Sequence, residues 1–190
     1  MEEFSSTALL ITKGVKLVNV KKMSQCALFA ALLSVCAWLS LPVGDVAFTL
    51  QTFGIFLALG LLGGKWGTVS IFVYLLLGAA GVPVFSGFRG GIGVLAGATG
   101  GYLVGFLFSG LIYWLITAVW DNSSAVRVCA MVLGLIGCYA FGTLWFWFGY
   151  ARNGGISLIL IKCVLPYLLP DALKLILSWF MTTRLKRFIV

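Results

Sequence analysis

Residues 23–41 read MSQCALFAALLSVCAWLSL, a run without a single charge. About twenty consecutive apolar residues in a helix cross the hydrocarbon core of a bilayer, so this run predicts a transmembrane helix rather than a helix buried in a soluble core. A basic cluster, Lys13, Lys16, Lys21 and Lys22, stands before it, and Pro42 closes it. The run is longer than the apolar region of a secretion signal, and no small-residue cleavage site ends it. It is therefore read as a retained first helix.

Working outward from that run, the next apolar stretches predict helices at about 50–63, 66–80, 97–120, 126–150 and 156–183, in addition to 23–41. The expected fold class is an all-α integral membrane protein with six transmembrane helices. Residues 1–190 read as one membrane domain, with 1–22 as a cytoplasmic N-terminal segment. The second and third runs are short and are parted by Gly63-Gly64-Lys65. Composition agrees with this reading: 62% of residues are hydrophobic, 9% are charged, and the mean hydropathy is +1.12. A soluble domain carries about 25% charged residues, and so few charges cannot cover a water-facing surface.

The net charge of +8 suggests nucleic acid in a soluble protein, but in a membrane protein Lys and Arg gather on the cytoplasmic side. Six spans put both termini on one side. Lys13, Lys16, Lys21, Lys22, Lys65, Arg127, Arg184, Lys186 and Arg187 fall there, against Arg89 and Arg152 on the other. The charge is thus read as topology, with both termini cytoplasmic in a multi-pass protein of the cell membrane, lipid around it and no nucleic acid. There is no His, which removes the commonest general base and metal ligand. The cysteines, Cys26, Cys36, Cys129, Cys138 and Cys163, form no CxxC pair and read as small apolar packing residues. No metal site, resident cofactor or catalytic residue is expected, and the chain is not read as an enzyme.

With the loop charges set aside, the few remaining polar residues stand out, because ionisable groups inside spans are expensive and mark function by default. Asp171 and Lys174 are three apart in the last span and share one helix face. They are either a structural ion pair or the heart of a polar site, with Pro166 and Pro170 loosening the backbone upstream. Lys162 reads as a side chain reaching for the membrane surface. A glycine-rich stretch holds Phe85, Phe88 and Arg89, followed by Tyr102. Arg89 offers a fork that suits a carboxylate, and the aromatics suit an apolar body; the plain alternative is a tight loop. Gln51 sits at the start of the second run. In the first helix Ala27/Ala31 and Ala30/Ser34 make small-xxx-small faces, which serve internal packing or a partner.

Thr49-Leu-Gln-Thr52, then Gly78-Ala-Ala-Gly-Val-Pro-Val-Phe-Ser-Gly87 with Gly90 and Gly91, then Thr99-Gly-Gly-Tyr102, then Pro166 and Asp171-Ala-Leu-Lys174 follow one another across nearly the whole chain. Together they resemble the BioY family, the biotin-binding S components of energy-coupling factor (ECF) vitamin transporters. The resemblance implies a six-helix bundle that binds biotin near the extracytoplasmic side and delivers it to the cytoplasm. It implies as partners a transmembrane coupling protein, docked on Ala27 and Ala31, and two ATPase subunits. It departs from the family at Pro170, where Gly is frequent before the aspartate, and at Ala98, where Pro is frequent. Biotin's ureido head needs acceptors and donors, expected from Asp171, Lys174 and Gln51. Its carboxylate tail needs a cation, Arg89 or Lys174, and its apolar body needs walls such as Phe85, Phe88 and Tyr102. The alternative is an S component or small carrier for another vitamin such as riboflavin or thiamine.

Overall fold

The computed structural model describes residues 20–41, 48–120, 123–150 and 156–189. The N-terminal segment with Lys13 and Lys16, the break at Pro42–Asp45, Asp121 and the turn around Arg152 lie outside the described residues. Helix α1 (Val20–Trp38) leads to two short strands, β1 (Ser40–Leu41) and β2 (Phe48–Thr49), paired antiparallel with Ser40 opposite Thr49. Then come α2 (Gln51–Ala79), α3 (Ile92–Ala96), α4 (Gly100–Val119), α5 (Ser124–Tyr150), α6 (Ile156–Cys163) and α7 (Leu165–Ile189).

α2 is a helical hairpin. Gly63 has φ 81° and ψ 167°, a region open essentially only to glycine, and the chain reverses there. The two arms, 51–62 and 64–79, then lie side by side: a Cβ on Gly67 would sit 2.7 Å from the Cα of Leu59, so only glycine permits that approach. The two short runs of the sequence are therefore two spans joined by one reversal. With α1, α4, α5 and the α6–α7 pair they make six. α1, α4 and α5 are each long and apolar enough to cross a membrane, whereas α2 reaches that length only with its two arms taken together. The stretch expected as an open glycine-rich loop holds the short helix α3, and the fourth span begins at Gly100 rather than at 97.

The outer surface is apolar as well as the core. Leu115, Leu169, Leu173 and Ile176 are exposed, as lipid-facing side chains should be. On α7 the buried face carries Tyr167, Asp171, Lys174, Ser178 and Thr182, spaced at helical periodicity. The main core joins α1, α2, α4, α5 and α7 through Leu33, Ile55, Leu59, Tyr74, Tyr113, Met131 and Leu175. α4 and α5 approach closely, with Ser109 Oγ donating to Gly134 O at 2.7 Å. α7 leans mostly on α2 and meets α5 at few points.

Cross-links identify the two ends of the bundle. At the base, Cys26 Sγ reaches Trp66 O and Trp179 Nε1 reaches Ser124 Oγ. At the far end, Trp38 Nε1 donates to Pro83 O at 2.9 Å, and Trp145 Nε1 donates to Gly97 O at 3.1 Å. The segment between α2 and α4 is thus tied to both α1 and α5.

Candidate functional site

Chain direction brings the start of α2, the start of α4, the middle turns of α5 and the first turns of α7 together in the far half of the bundle. There they enclose a cavity of about 50 Å³ lined by Thr49, Thr52, Tyr102, Phe106, Leu135, Cys138, Tyr139, Tyr167, Asp171 and Lys174. Lys174 Nζ lies 2.7 Å from Asp171 Oδ1, and both side chains are buried. Tyr139, from α5, donates its hydroxyl to Asp171 Oδ2 at 2.5 Å. The carboxylate is therefore held on both oxygens, one by its own helix and one from across the bundle. α7 runs helically through Pro170, and Asp171 stays on the buried face.

Aromatic rings cover the pair. The Phe48 ring centroid is 3.9 Å from Lys174 Nζ, and Phe48 stacks on Tyr167 at 6.4 Å. Tyr102 is buried, and its hydroxyl, near Thr143, has no partner in hydrogen-bonding geometry. An unpaired buried hydroxyl is costly in a protein interior and marks a place where a ligand atom can bond.

The expected site residues divide into two groups. Asp171, Lys174 and Tyr102 meet at the cavity. Gln51 stands behind it: its Nε2 donates to Tyr74 Oη at 2.7 Å, its Oε1 accepts from Thr49 Oγ1 at 2.9 Å, and Tyr74 Oη donates on to Val84 O. Gln51 thereby fixes Thr49 on the cavity wall. Phe85 is a core residue, edge-on to Tyr74 at 5.6 Å. Phe88 and Arg89 are exposed and away from the lining. Phe85 pairs with Arg89 across a tight turn, Phe88 stacks on Trp38 at 5.1 Å, and Arg89 Nε donates to Ser86 O. Ala27 and Ala31 are exposed while Ala30, Leu33 and Ser34 of the same helix are buried. The Ala30/Ser34 face is thus used for internal packing and the Ala27/Ala31 face is left open.

Sequence reasoning singled out the stretch around Gln51 without giving Phe48, Thr49 or Thr52 a role of their own, and it did not name Phe106, Leu135, Cys138, Tyr139 or Tyr167 as site residues. Phe48 and Thr52 flank Gln51, and Tyr167 precedes Asp171 by about one turn, so proximity carried a signal for these three. Tyr139 has none, because it comes from another helix. Among the described residues no cluster of His, Cys, Asp and Glu can hold a metal ion.

Comparison with known proteins places the chain among others. The family model described as BioY family matches residues 9–190. The chain is 38% identical over 168 residues to the biotin transporter BioY of Thermotoga maritima, covering 88% of this chain and 97% of that one. It is 39% identical over 169 residues to the probable biotin transporter BioY of Pyrococcus horikoshii, covering 89% and 98%. Among solved structures it matches the S-component for biotin from an ECF-type ABC transporter, with a TM-score of 0.78 and 29% identity, over 90% of this chain and 95% of that one.

Proposed function

The chain belongs to the BioY family, and from that premise we propose that it is the biotin-binding S component of a vitamin uptake system. The relatives named above are transporters, not enzymes. The observation that carries the substrate is the buried Asp171–Lys174 pair opening on the far-end cavity. A cyclic urea presents two N–H donors beside one carbonyl acceptor. Each Asp171 oxygen accepts one bond within the protein and keeps a second lone pair. The Lys174 ammonium keeps N–H groups for the carbonyl, and Tyr102 offers its unpaired hydroxyl. Phe106, Leu135, Phe48 and Tyr167 supply apolar walls, as small-molecule sites require.

A cavity of about 50 Å³ is well below the several hundred cubic ångströms that hold a vitamin-sized ligand, so its walls yield on binding. Phe48 is the wall best placed to move, since it caps Lys174 from a two-residue strand rather than from a helix. Lys21, Lys22, Lys65, Arg127, Arg184 and Lys186 lie toward the base and Arg89 lies at the far end. The positive-inside bias then makes the base cytoplasmic. This puts both termini in the cytoplasm and the cavity on the extracytoplasmic side of the cytoplasmic membrane. Delivery to the cytoplasm draws on two ATPase subunits through a coupling protein that docks on Ala27 and Ala31. Arg89, at the same end of the bundle but outside the cavity lining, is assigned to the carboxylate tail.

Calorimetry of the purified protein tests the substrate: biotin binds tightly and riboflavin and thiamine do not. No heat with biotin, or binding of either other vitamin in its place, overturns the reading. Uptake in a biotin auxotroph, with and without co-expressed coupling subunits, tests the partners.

A further inference from the structure

We infer that Tyr139 is a specificity-determining residue, which holds the Asp171 carboxylate in the one orientation that suits a neutral cyclic urea. The inference rests on the proposed biotin site and adds a residue to it. Tyr139 belongs to α5, which meets α7 at few points, and its hydroxyl bridges that seam to Asp171 Oδ2. The ring itself is held, packed against the Tyr102, Ile159 and Cys163 cluster with Phe146 and Trp147 beside it. The hydroxyl is therefore placed by rigid neighbours and not by Asp171 alone.

The consequence is geometric. Lys174 engages Oδ1 and Tyr139 engages Oδ2, so rotation of the carboxylate breaks one bond or the other. Its remaining lone pairs face the cavity in a fixed plane. Neutral N–H donors gain little from aligning a loose carboxylate and depend on that pre-set plane. A cationic guanidinium is different: its fork aligns a free carboxylate by charge and bonds it bidentately. The Tyr139 hydroxyl thus favours the urea over its guanidinium analogue, because a carboxylate held in this plane suits a neutral N–H donor and cannot turn to meet the two-pronged fork of the analogue.

The test is Tyr139→Phe, which keeps the ring and its packing and removes only the hydroxyl. Displacement of labelled biotin by biotin and by 2-iminobiotin, its cyclic guanidinium analogue, is measured on monodisperse wild-type and variant protein. Biotin affinity falls about 2- to 10-fold, the cost of ordering one freed side chain on binding. The iminobiotin affinity falls much less, so the ratio between the two shifts toward the cation. Equal losses for both ligands indicate a structural role and overturn the inference, as does undiminished biotin binding. A variant that iminobiotin fails to displace overturns it as well. Failure of the wild type to bind biotin at all refutes the site itself, a separate outcome.

Discussion

Neutralising the buried pair in two steps separates recognition from fold. At 2.7 Å, the attraction between two unit charges is about 6 kcal/mol at an effective dielectric of about 20. Desolvation of two buried ions costs several kcal/mol each, so the pair contributes close to nothing to net stability. Asp171→Asn alone leaves the Lys174 ammonium buried without its counterion. That costs about 3–5 kcal/mol of stability, seen as a lower midpoint of thermal unfolding in detergent. The same change should weaken biotin binding, since one N–H bond to a carboxylate is worth about 1.5–3 kcal/mol. The expected loss in affinity is then about ten- to a hundredfold. Adding Lys174→Met removes the orphaned charge. Stability should return to within about 1–2 kcal/mol of wild type, because apolar replacement of a buried ion pair is often neutral. Affinity, read by calorimetry on the same preparation, should stay lost. A double variant that binds biotin about as tightly as wild type would show that the pair serves insertion and packing only, and would refute the proposed site.

Three further changes probe other parts of the chain. Ala31→Trp places a bulky ring on the exposed face of α1; it should abolish uptake in cells carrying the coupling subunits while leaving calorimetric binding unchanged, and loss of both would indicate internal packing instead. Arg89→Ala should weaken binding of biotin but not of its methyl ester if this far-end guanidinium takes the carboxylate tail, and an equal effect on both ligands removes Arg89 from that role. Gly63→Ala forces a side chain onto φ 81° and ψ 167°, costing about 1–3 kcal/mol; an unchanged unfolding midpoint would mean that the α2 reversal tolerates a different backbone.

The spans were legible because a bilayer sets a length, and runs such as 23–41 meet it without charges. Legibility stopped where one residue does the work of a loop. Gly63-Gly64-Lys65 marks a break, but only the positive φ at Gly63 and the contact of Gly67 with Leu59 show that the break is a full reversal. In the candidate site the sequence spacing predicts that Asp171 and Lys174 share a face, and they touch. What spacing cannot show is the direction of a turn. Phe85, Phe88 and Arg89 are close in sequence, yet the bridge between Phe85 and Arg89 sends the first into the core and leaves the others at the surface. Tyr139 illustrates the remaining gap: it is one aromatic among many in α5, and its tie to Asp171 spans 32 positions of sequence.

The charge arrangement explains how one constellation can both enter a membrane and recognise a polar ligand. A lone carboxylate in a span costs several kcal/mol, whereas Asp171 and Lys174 together carry no net charge, and Tyr139 bonds the oxygen that Lys174 leaves. The protein partners thus hold the carboxylate while using only part of its accepting capacity. A neutral urea that adds an N–H group to a free lone pair changes neither the net charge nor these internal bonds. An anionic head would confront the carboxylate directly, and a cationic one would compete with Lys174. The proposed specificity for a neutral, donor-rich head would then rest on the need to keep the pair electroneutral in hydrocarbon. The Phe48 ring face rests on the Lys174 ammonium, beside the N–H groups proposed for the ligand's carbonyl, so that a cation–π contact and a charge-assisted hydrogen bond draw on the same ammonium.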